Sequence, residues 1–247
     1  MKSTLPDEEK YEEYLKHRLP YPESIISLLQ KEIHFDEFKD IAIIESGIGA
    51  LSKLFAKNGN ITFAVEPKDE LRQKTEKTAG KYLNLINIKG DAKATNLADR
   101  SADIILIADA LQKPDLIKEK NEFGRILRKD GYCLVAYQIL KSNTPFMKEF
   151  NKLMREPIFQ EVLSDKDFEN MIKKFYEPNK SKVRTIEYRQ DISSASLKGL
   201  VMSYLKMPSD SDCHQKIVNG LKTLFEKNNL SGNVTLEYKI KIHIGKI

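Results

Sequence analysis

The sequence predicts a doubly wound α/β fold built on a largely parallel sheet. Short apolar runs at 41–44, 61–65 and 102–108 suit strands that are buried on both faces, and segments with helical periodicity separate them. A last run at 233–244 alternates apolar and polar residues, which is typical of an antiparallel strand. We therefore expect a seven-stranded sheet with an antiparallel last strand and helices on both faces.

The composition is that of a folded protein without a membrane span. Of the 247 residues, 40% are hydrophobic and 31% are charged, and no apolar run approaches the length of a transmembrane helix. The N-terminus has no apolar signal-peptide region, and Cys133 and Cys213 form no metal or redox spacing, so we expect a cytoplasmic protein. The net charge is +5, but the lysines are scattered among 36 acids, so no nucleic-acid or membrane partner is expected.

The other elements are expected to alternate with the buried strands. Two N-terminal helices, separated by Leu19-Pro20-Tyr21-Pro22, precede the first strand. Further strands are predicted at 85–88, 132–139 and 184–192, and residues 128–131 are expected to form a turn. Helical patterns follow the first strand through Leu51, Leu54 and Phe55, and then occupy residues 67–81, 116–127, 142–177, 196–205 and 214–227.

A turn that contains two glycines follows the first strand and predicts a ligand site. Gly47 and Gly49 lie where the chain must turn sharply into a helix, and residues without Cβ also allow a ligand to approach closely. Glu66 ends the second strand 17 residues after Gly49, at about the separation where a βαβ unit presents a carboxylate to the hydroxyls of a ribose. The unit is therefore expected to bind an adenosine-containing cofactor.

This turn differs from two common nucleotide-binding loops. A dinucleotide fingerprint needs Gly or Ala where this chain has Ser52, and a P-loop needs a Gly-Lys-Ser/Thr sequence that is absent. Glu45, at the end of the first strand, would repel a phosphate but could hold an ammonium group. Nothing in this turn is therefore dedicated to a triphosphate, and the dinucleotide pattern is incomplete.

The arrangement of these residues resembles a known family. The pattern strand, Glu45-x-Gly47-x-Gly49, strand, Glu66 resembles motif I and its following acidic residue in class I S-adenosylmethionine-dependent methyltransferases. The passage at 126–132, Ile-Leu-Arg-Lys-Asp-Gly-Tyr, resembles the Val-Leu-Lys-Pro-Gly-Gly signature of the same family. The resemblance is to the type 11-like branch, whose members act on small molecules, and it implies a Rossmann-like fold. It also implies S-adenosyl-L-methionine as the cofactor and S-adenosyl-L-homocysteine as the product.

The resemblance also implies a set of cofactor-binding residues. Asp91 falls where the family places a side chain that accepts a hydrogen bond from the adenine amino group, and the Arg18–Pro22 junction resembles an N-terminal stretch that folds over the cofactor. The complete predicted set is Tyr14, Arg18, Glu45, Gly47, Gly49, Glu66, Pro67, Asp91, Ala92, Ala108, Asp109 and Leu111.

Two positions depart from the family pattern. Leu51 stands where a third Gly is usual, and Gln112 and Lys113 occupy the place where a general base is often found. The acceptor is therefore already nucleophilic, or a base comes from elsewhere, or the protein binds cofactor without turnover. We name Tyr21 and Gln112 as candidate catalytic residues that would orient the acceptor, and we predict no metal site because the four histidines have no metal spacing.

The whole chain, residues 1–247, is predicted to be a single methyltransferase domain. It comprises an N-terminal helical cap at 1–35, a cofactor-binding core at 36–140, a helical lid insertion at 141–182 and the C-terminal part of the sheet at 183–247.

The expected function is direct in-line methyl transfer to a small-molecule acceptor. The acceptor pocket is expected between the Arg18–Pro22 junction, residues 109–112 and the helices after Leu140, which are rich in Phe and Met. Two alternatives stay open: a non-catalytic descendant that binds the cofactor, and a nicotinamide-dependent oxidoreductase, which Ser52 disfavours.

Overall fold

The computed structural model describes residues 20–108, 116–154, 165–203 and 212–247. The described residues form two compact units. The first contains residues 21–138, 165–186 and 240–247, and the second contains Pro20 and residues 139–154, 187–203 and 212–239. The prediction of one domain and its four segments stays a prediction.

Seven strands form one mixed sheet in the order β3-β2-β1-β4-β5-β7-β6. The first five strands in this order pair in parallel with their neighbours. Ile44 at the end of β1 lies opposite Val65 of β2 and Ile107 of β4. This arrangement confirms the predicted α/β fold. The strands are β1 (Ile41–Ile44), β2 (Thr62–Val65), β3 (Leu85–Ile88), β4 (Ala102–Ala108), β5 (Leu127–Leu140), β6 (Lys182–Ser193) and β7 (Asn233–Gly245).

Contacts between β5 and β7 show that the last strand runs antiparallel to its neighbour. The ammonium group of Lys246 lies 5.5 Å from the ring centroid of Tyr132, whereas the ring of His243 lies 5.9 Å from that of Tyr137. Residue numbers therefore rise along β5 as they fall along β7, which is the relation of an antiparallel pair. The predicted antiparallel last strand is confirmed.

Eight helices accompany these strands in the described part of the chain, the first of them before β1. They are α1 (Ser24–Ile33), α2 (Ala50–Lys57), α3 (Asp69–Ala79), α4 (Leu116–Ile126), α5 (Pro145–Leu153), α6 (Asp165–Tyr176), α7 (Ser194–Ser203) and α8 (Asp212–Asn228). The helical pattern predicted over 142–177 corresponds to α5 and α6, with residues 155–164 outside the described part. The first predicted N-terminal helix also lies outside it. None of the described helices is long and apolar enough to cross a membrane.

The segment before Tyr132 differs from the prediction of a simple turn. Strand β5 begins at Leu127, and its register with β4 shifts between the pairs Ala102–Leu127 and Ile104–Tyr132. Arg128, within this irregular stretch, donates to Asp40 Oδ2 at 2.7 Å and to Asp103 Oδ2 at 2.5 Å. Residues 128–131, which were predicted as a turn, thus form an irregular, bulge-like part of β5. The ion pairs of Arg128 hold this part in the sheet.

The core is centred on β1, in which all four residues are buried. Because successive side chains of a strand point to opposite faces, burial of all four means that both faces of β1 are covered. The carboxyl end of this strand is therefore held rigidly by the core, and the turn that begins at Glu45 starts from it.

Candidate functional site

The turn after β1 adopts an unusual backbone conformation at alternate residues. Glu45, Gly47 and Gly49 have φ of 54°, 60° and 72°, whereas Ser46 and Ile48 are not in the positive-φ region. A left-handed conformation suits glycine but costs about 1–2 kcal/mol at a residue with a Cβ. Glu45 is thus a strained residue at the end of a buried strand, and such residues cluster at functional sites.

Hydrogen bonds fix the turn to the neighbouring strand. The Ser46 N–H donates to Val65 O at 3.0 Å, and the Gly49 N–H donates to Ser46 O at 3.0 Å. Gly49 is the N-cap of α2, so the turn leads directly into that helix. The turn is therefore held in one shape by its own backbone and by the end of β2.

The carboxylate of Glu66 also contacts this turn. Oε2 accepts a hydrogen bond from the Gly47 N–H at 2.9 Å, and Oε1 accepts one from the Lys68 N–H at 3.1 Å. Each carboxylate oxygen has two lone pairs, so each retains acceptor capacity for a further donor. Burial raises the pKa of the Glu66 carboxyl above its usual value, although the two backbone donors oppose that shift.

The electrostatics of the turn are acidic. The parallel register places Ile44 opposite Val65, so Glu45 and Glu66 follow at the same level on adjacent strands. The charge of Glu45 contributes to the raised pKa of the Glu66 carboxyl, after burial. Two carboxylates at this edge would repel a phosphate and attract hydroxyl or ammonium donors.

The two glycines differ in their surroundings. A Cβ at Gly49 would lie 2.5 Å from Thr75 Cγ2 and 3.0 Å from Thr75 Oγ1, whereas a Cβ at Gly47 would have nothing within 4 Å. Both positions favour glycine because of their positive φ, but only Gly49 is also packed against another element.

The predicted adenine contact, Asp91, is an exposed turn residue. Its Oδ1 accepts from the Lys93 N–H at 2.8 Å and from the Ala94 N–H at 2.9 Å, and its own N–H donates to Ala94 O at 3.1 Å. These bonds are those of an Asx-turn, which holds the loop after β3 in a defined shape. The next residue, Ala92, is buried. The roles of both residues in cofactor binding stay predictions.

The other predicted positions fall partly outside the described residues. Pro67 is exposed and directly follows Glu66, and Ala108 ends β4 opposite Ala136 of β5. Tyr21 is partly buried at the start of the first unit. The positions that lie outside the described residues are Tyr14, Arg18, Asp109, Leu111, Gln112 and Lys113.

Leu51, the residue at the position of the third family glycine, is a packed residue of α2. Its side chain is among the buried apolar residues, as is that of Phe55 one turn later. Burial in the core favours a packing role for Leu51 over one in which it blocks the space above the turn.

One residue of this site has no sequence motif. Thr75 on α3 is fully buried, and its Oγ1 lies 3.3 Å from Gly47 O. The helical spacing could have indicated that Thr75 faces inward, because it follows the buried Leu71 by four residues and so lies on the same face of α3. Within an otherwise highly charged helix, that position predicts an inward-facing side chain.

No metal centre is evident in the parts of the chain that the structure describes. These parts contain no group of three or more His, Cys, Asp or Glu side chains that could hold an ion. Cys133 is a buried free cysteine, and burial raises the pKa of its thiol well above its usual value.

The strand order, the antiparallel β7 and the turn that faces Glu66 define a Rossmann-like α/β fold. Residues 44–135, which include the turn, Glu66 and Asp91, match the family model described as a methyltransferase domain. This match confirms the predicted resemblance to a methyltransferase domain over these residues. The sequence has no match among curated proteins.

Solved structures with low sequence identity share this fold. The YcgJ protein of Bacillus subtilis is 18% identical with a TM-score of 0.58, and the alignment covers 91% of this chain and 98% of that one. A proposed type II methyltransferase from Anaeromyxobacter dehalogenans is 14% identical with a TM-score of 0.67, and coverage is 92% and 96%. A SAM-dependent methyltransferase from Geobacter sulfurreducens, in complex with S-adenosyl-L-homocysteine, is 12% identical with a TM-score of 0.54 and 98% coverage of both chains.

Proposed function

We propose that this protein transfers a methyl group from S-adenosyl-L-methionine to a small-molecule acceptor by direct in-line displacement. The observation that carries the proposal is the hydrogen bond of 2.9 Å between Glu66 Oε2 and the Gly47 N–H. It joins the acidic end of β2 to the glycine turn, and these are the two parts of a site for an adenosine bearing an amino-acid tail.

The residues present fit such a cofactor. Glu66 holds a buried carboxylate with spare lone pairs, which suits the two hydroxyls of a ribose. Gly47 has open space where a Cβ would stand, so the backbone of the turn stays accessible to a ligand there. Glu45 would pair with the ammonium group of the amino-acid tail, and the acidic edge would disfavour the pyrophosphate of a nicotinamide dinucleotide.

The cofactor, when bound, supplies a methyl carbon on a positively charged sulfur with a good leaving group. The chain's own contribution is then to bind, orient and exclude water, since holding nucleophile and methyl carbon in line can supply most of the acceleration. Tyr21 and Gln112 stay proposed as residues that orient the acceptor. Asp91, Ala92, Pro67 and Ala108 stay proposed as further cofactor contacts.

Calorimetry and thermal shift test the cofactor directly. We expect S-adenosyl-L-methionine and S-adenosyl-L-homocysteine, but not NAD, to bind and to raise the melting temperature, because a ligand that binds only the folded state stabilises it. Glu66→Ala should weaken that binding by about 1–3 kcal/mol. Glu70→Ala, which removes an exposed acid from the first turn of α3, is the matched control and should leave affinity unchanged.

Methyl transfer needs a separate assay. The protein would be incubated with methyl-labelled S-adenosyl-L-methionine and with the low-molecular-weight and macromolecular fractions of a cell extract. Label in a small product, together with formation of S-adenosyl-L-homocysteine, would support the proposal. Binding without turnover in any fraction would favour the non-catalytic alternative, and stabilisation by NAD alone would favour an oxidoreductase.

A further inference from the structure

Thr75 links helix α3 to the glycine turn through two different atoms. Its hydroxyl lies 3.1 Å from Leu71 O and 3.3 Å from Gly47 O, and its Cγ2 lies against Gly49 at the position where a Cβ would be. The side chain is fully buried. A single residue thus contacts both glycines of the turn, one through a polar atom and one through a methyl group.

Gly47 is consequently held on both sides of its backbone. Its N–H donates to Glu66 Oε2 at 2.9 Å, and its carbonyl oxygen lies 3.3 Å from the Thr75 hydroxyl, whose single proton it shares with Leu71 O at 3.1 Å. The two partners come from the end of β2 and from the helix that follows it. The position of this residue, which has no side chain of its own, is therefore determined by two side chains from the adjacent βα unit.

We propose that Thr75 is a positioning residue of the cofactor site: its hydroxyl sets the position of Gly47, and its methyl group imposes glycine at position 49. This inference rests on the proposed function, in that the turn is taken to hold S-adenosyl-L-methionine. A turn fixed before the ligand arrives loses little conformational freedom on binding, so each contact contributes more of its energy to affinity. Thr75 acts through the turn and touches no reacting atom.

The two halves of the proposal rest on different chemistry and can be separated. Thr75→Val keeps a branched side chain of similar shape and removes the hydroxyl, whereas Thr75→Ser keeps the hydroxyl and removes Cγ2. We expect Thr75→Val to raise the Kd for S-adenosyl-L-homocysteine by about three- to tenfold, as for the loss of one hydrogen bond, and Thr75→Ser to stay near the wild type. A merely structural role would lower the melting temperature of Thr75→Val without changing its Kd.

The methyl group is tested by a double-mutant cycle with Gly49. Gly49→Ala should weaken binding of S-adenosyl-L-homocysteine strongly in the wild-type background, because its Cβ would lie 2.5 Å from Thr75 Cγ2. The loss should be clearly smaller in the Thr75→Ser background and unrelieved in the Thr75→Val background. Rescue should be partial, since the left-handed conformation of residue 49 and the 3.0 Å approach to Oγ1 persist.

Gly47→Ala supplies the matched control. It introduces a Cβ at a residue with similarly positive φ, but with nothing within 4 Å of that Cβ. Because Thr75→Ser removes only Cγ2 and keeps the hydroxyl that lies near Gly47 O, it should give Gly47→Ala no relief. Equal losses for Gly49→Ala in all three backgrounds would overturn the steric half of the proposal, and an unchanged Kd in Thr75→Val would overturn the polar half.

The same variants distinguish failure of this inference from failure of the proposed function. If the wild-type protein bound neither S-adenosyl-L-methionine nor S-adenosyl-L-homocysteine, the proposed function and with it the positioning role would fall. The contact between Thr75 and residue 49 would still be read from ligand-free melting temperatures, where Thr75→Ser but not Thr75→Val should recover part of the loss caused by Gly49→Ala. Binding by the wild type with no effect of any Thr75 variant would refute the inference alone.

Discussion

The Tyr137 hydroxyl of β5 donates a hydrogen bond to Glu169 Oε1 of α6 at 2.9 Å. The same oxygen accepts from Lys241 Nζ at 2.7 Å, and Glu169 Oε2 lies 3.6 Å from His243 Nε2, both on β7. Although burial raises the pKa of the Glu169 carboxyl, the bonds from Lys241 and Tyr137 outweigh it and lower that pKa. One carboxylate thus ties α6 to two neighbouring strands.

We expect Glu169→Ala to lower the free energy of unfolding by about 1–3 kcal/mol, because it removes hydrogen bonds to a charged group. It also removes the 2.7 Å ion pair with Lys241, whose side chain is only 16% exposed. Urea denaturation measures the effect. Glu149→Ala breaks the exposed pair with Lys227 and should cost less than about 0.5 kcal/mol. Equal, small losses in both variants would contradict a structural role for Glu169.

Glu66→Gln should separate ligand binding from folding stability. The folded-state pKa of Glu66 is raised, so its contribution to stability is greatest at acid pH and is lost as pH rises through that pKa. At neutral pH the variant loses an unfavourable buried charge and one hydrogen bond, so the ligand-free stability should change by no more than about 1 kcal/mol. Affinity for S-adenosyl-L-homocysteine should fall by about tenfold or more.

Calorimetry and urea denaturation at neutral and acid pH check this expectation. The stability of the wild type relative to Glu66→Gln should improve as the pH is lowered, since only the wild type can take up the proton. A variant that binds normally would remove Glu66 from the site, whatever its stability.

The contribution of Glu122 to stability should depend on pH in the opposite sense. Its carboxylate accepts from Arg125 at 2.7 Å and from the Thr95 hydroxyl at 2.6 Å. The Arg125 guanidinium is the main cause that lowers the pKa of Glu122 from 4.5 to about 2. A lowered pKa gives stability that is present above about 4.5 and is lost as pH falls towards about 2.

Glu122→Gln should therefore destabilise the protein at neutral pH, and the gap from the wild type should narrow across that acid window. Unfolding monitored by circular dichroism over a pH series measures the gap. Glu226→Gln, which disrupts an exposed pair with Lys222 at 3.8 Å, should have almost no effect at any pH. A gap for Glu122→Gln that is constant with pH would contradict the ion-pair account.

Two glycines near each other in the chain should respond oppositely to alanine. Gly124 is exposed in α4, and a Cβ there would have nothing within 4 Å, so Gly124→Ala should stabilise the protein by about 0.5–1 kcal/mol. At Gly131 a Cβ would lie 2.6 Å from Asp103 O and 2.7 Å from Leu127 Cδ1, so Gly131→Ala should destabilise it. Thermal unfolding of both variants gives the signs directly, and a stabilising Gly131→Ala would show that the bulge relaxes freely.

Local pattern was sufficient to predict the parallel core and the glycine turn. The run Ile41–Ile44 and the glycines after it form a signal within a few residues, and Glu66 lies one βα unit further on. The contact of Thr75 with the turn spans 28 positions and depends on how α3 packs, which no local motif specifies. The sequence therefore predicted the glycine turn but not the contact of Thr75 with it.

The bulge before Tyr132 was missed for a related reason. Arg128-Lys-Asp-Gly131 has the chemistry of a turn, and a turn was predicted. The ion pair of Arg128 with Asp40 joins residues 88 positions apart, and it holds this stretch in the sheet. Similarly, Glu169 and Lys241 are 72 positions apart in the sequence, so neither periodicity nor spacing could predict their contact.

The bond from the Gly47 amide to Glu66 also makes that amide a natural reporter for nuclear magnetic resonance. Its proton points at a carboxylate that is buried and has a raised pKa. The amide resonance should therefore shift when the carboxylate takes up a proton, and shift again when a ligand hydroxyl shares the same oxygen. A single backbone signal can thus follow the titration of Glu66 and test the proposed contact with a ribose, without any label attached to the protein's side chains.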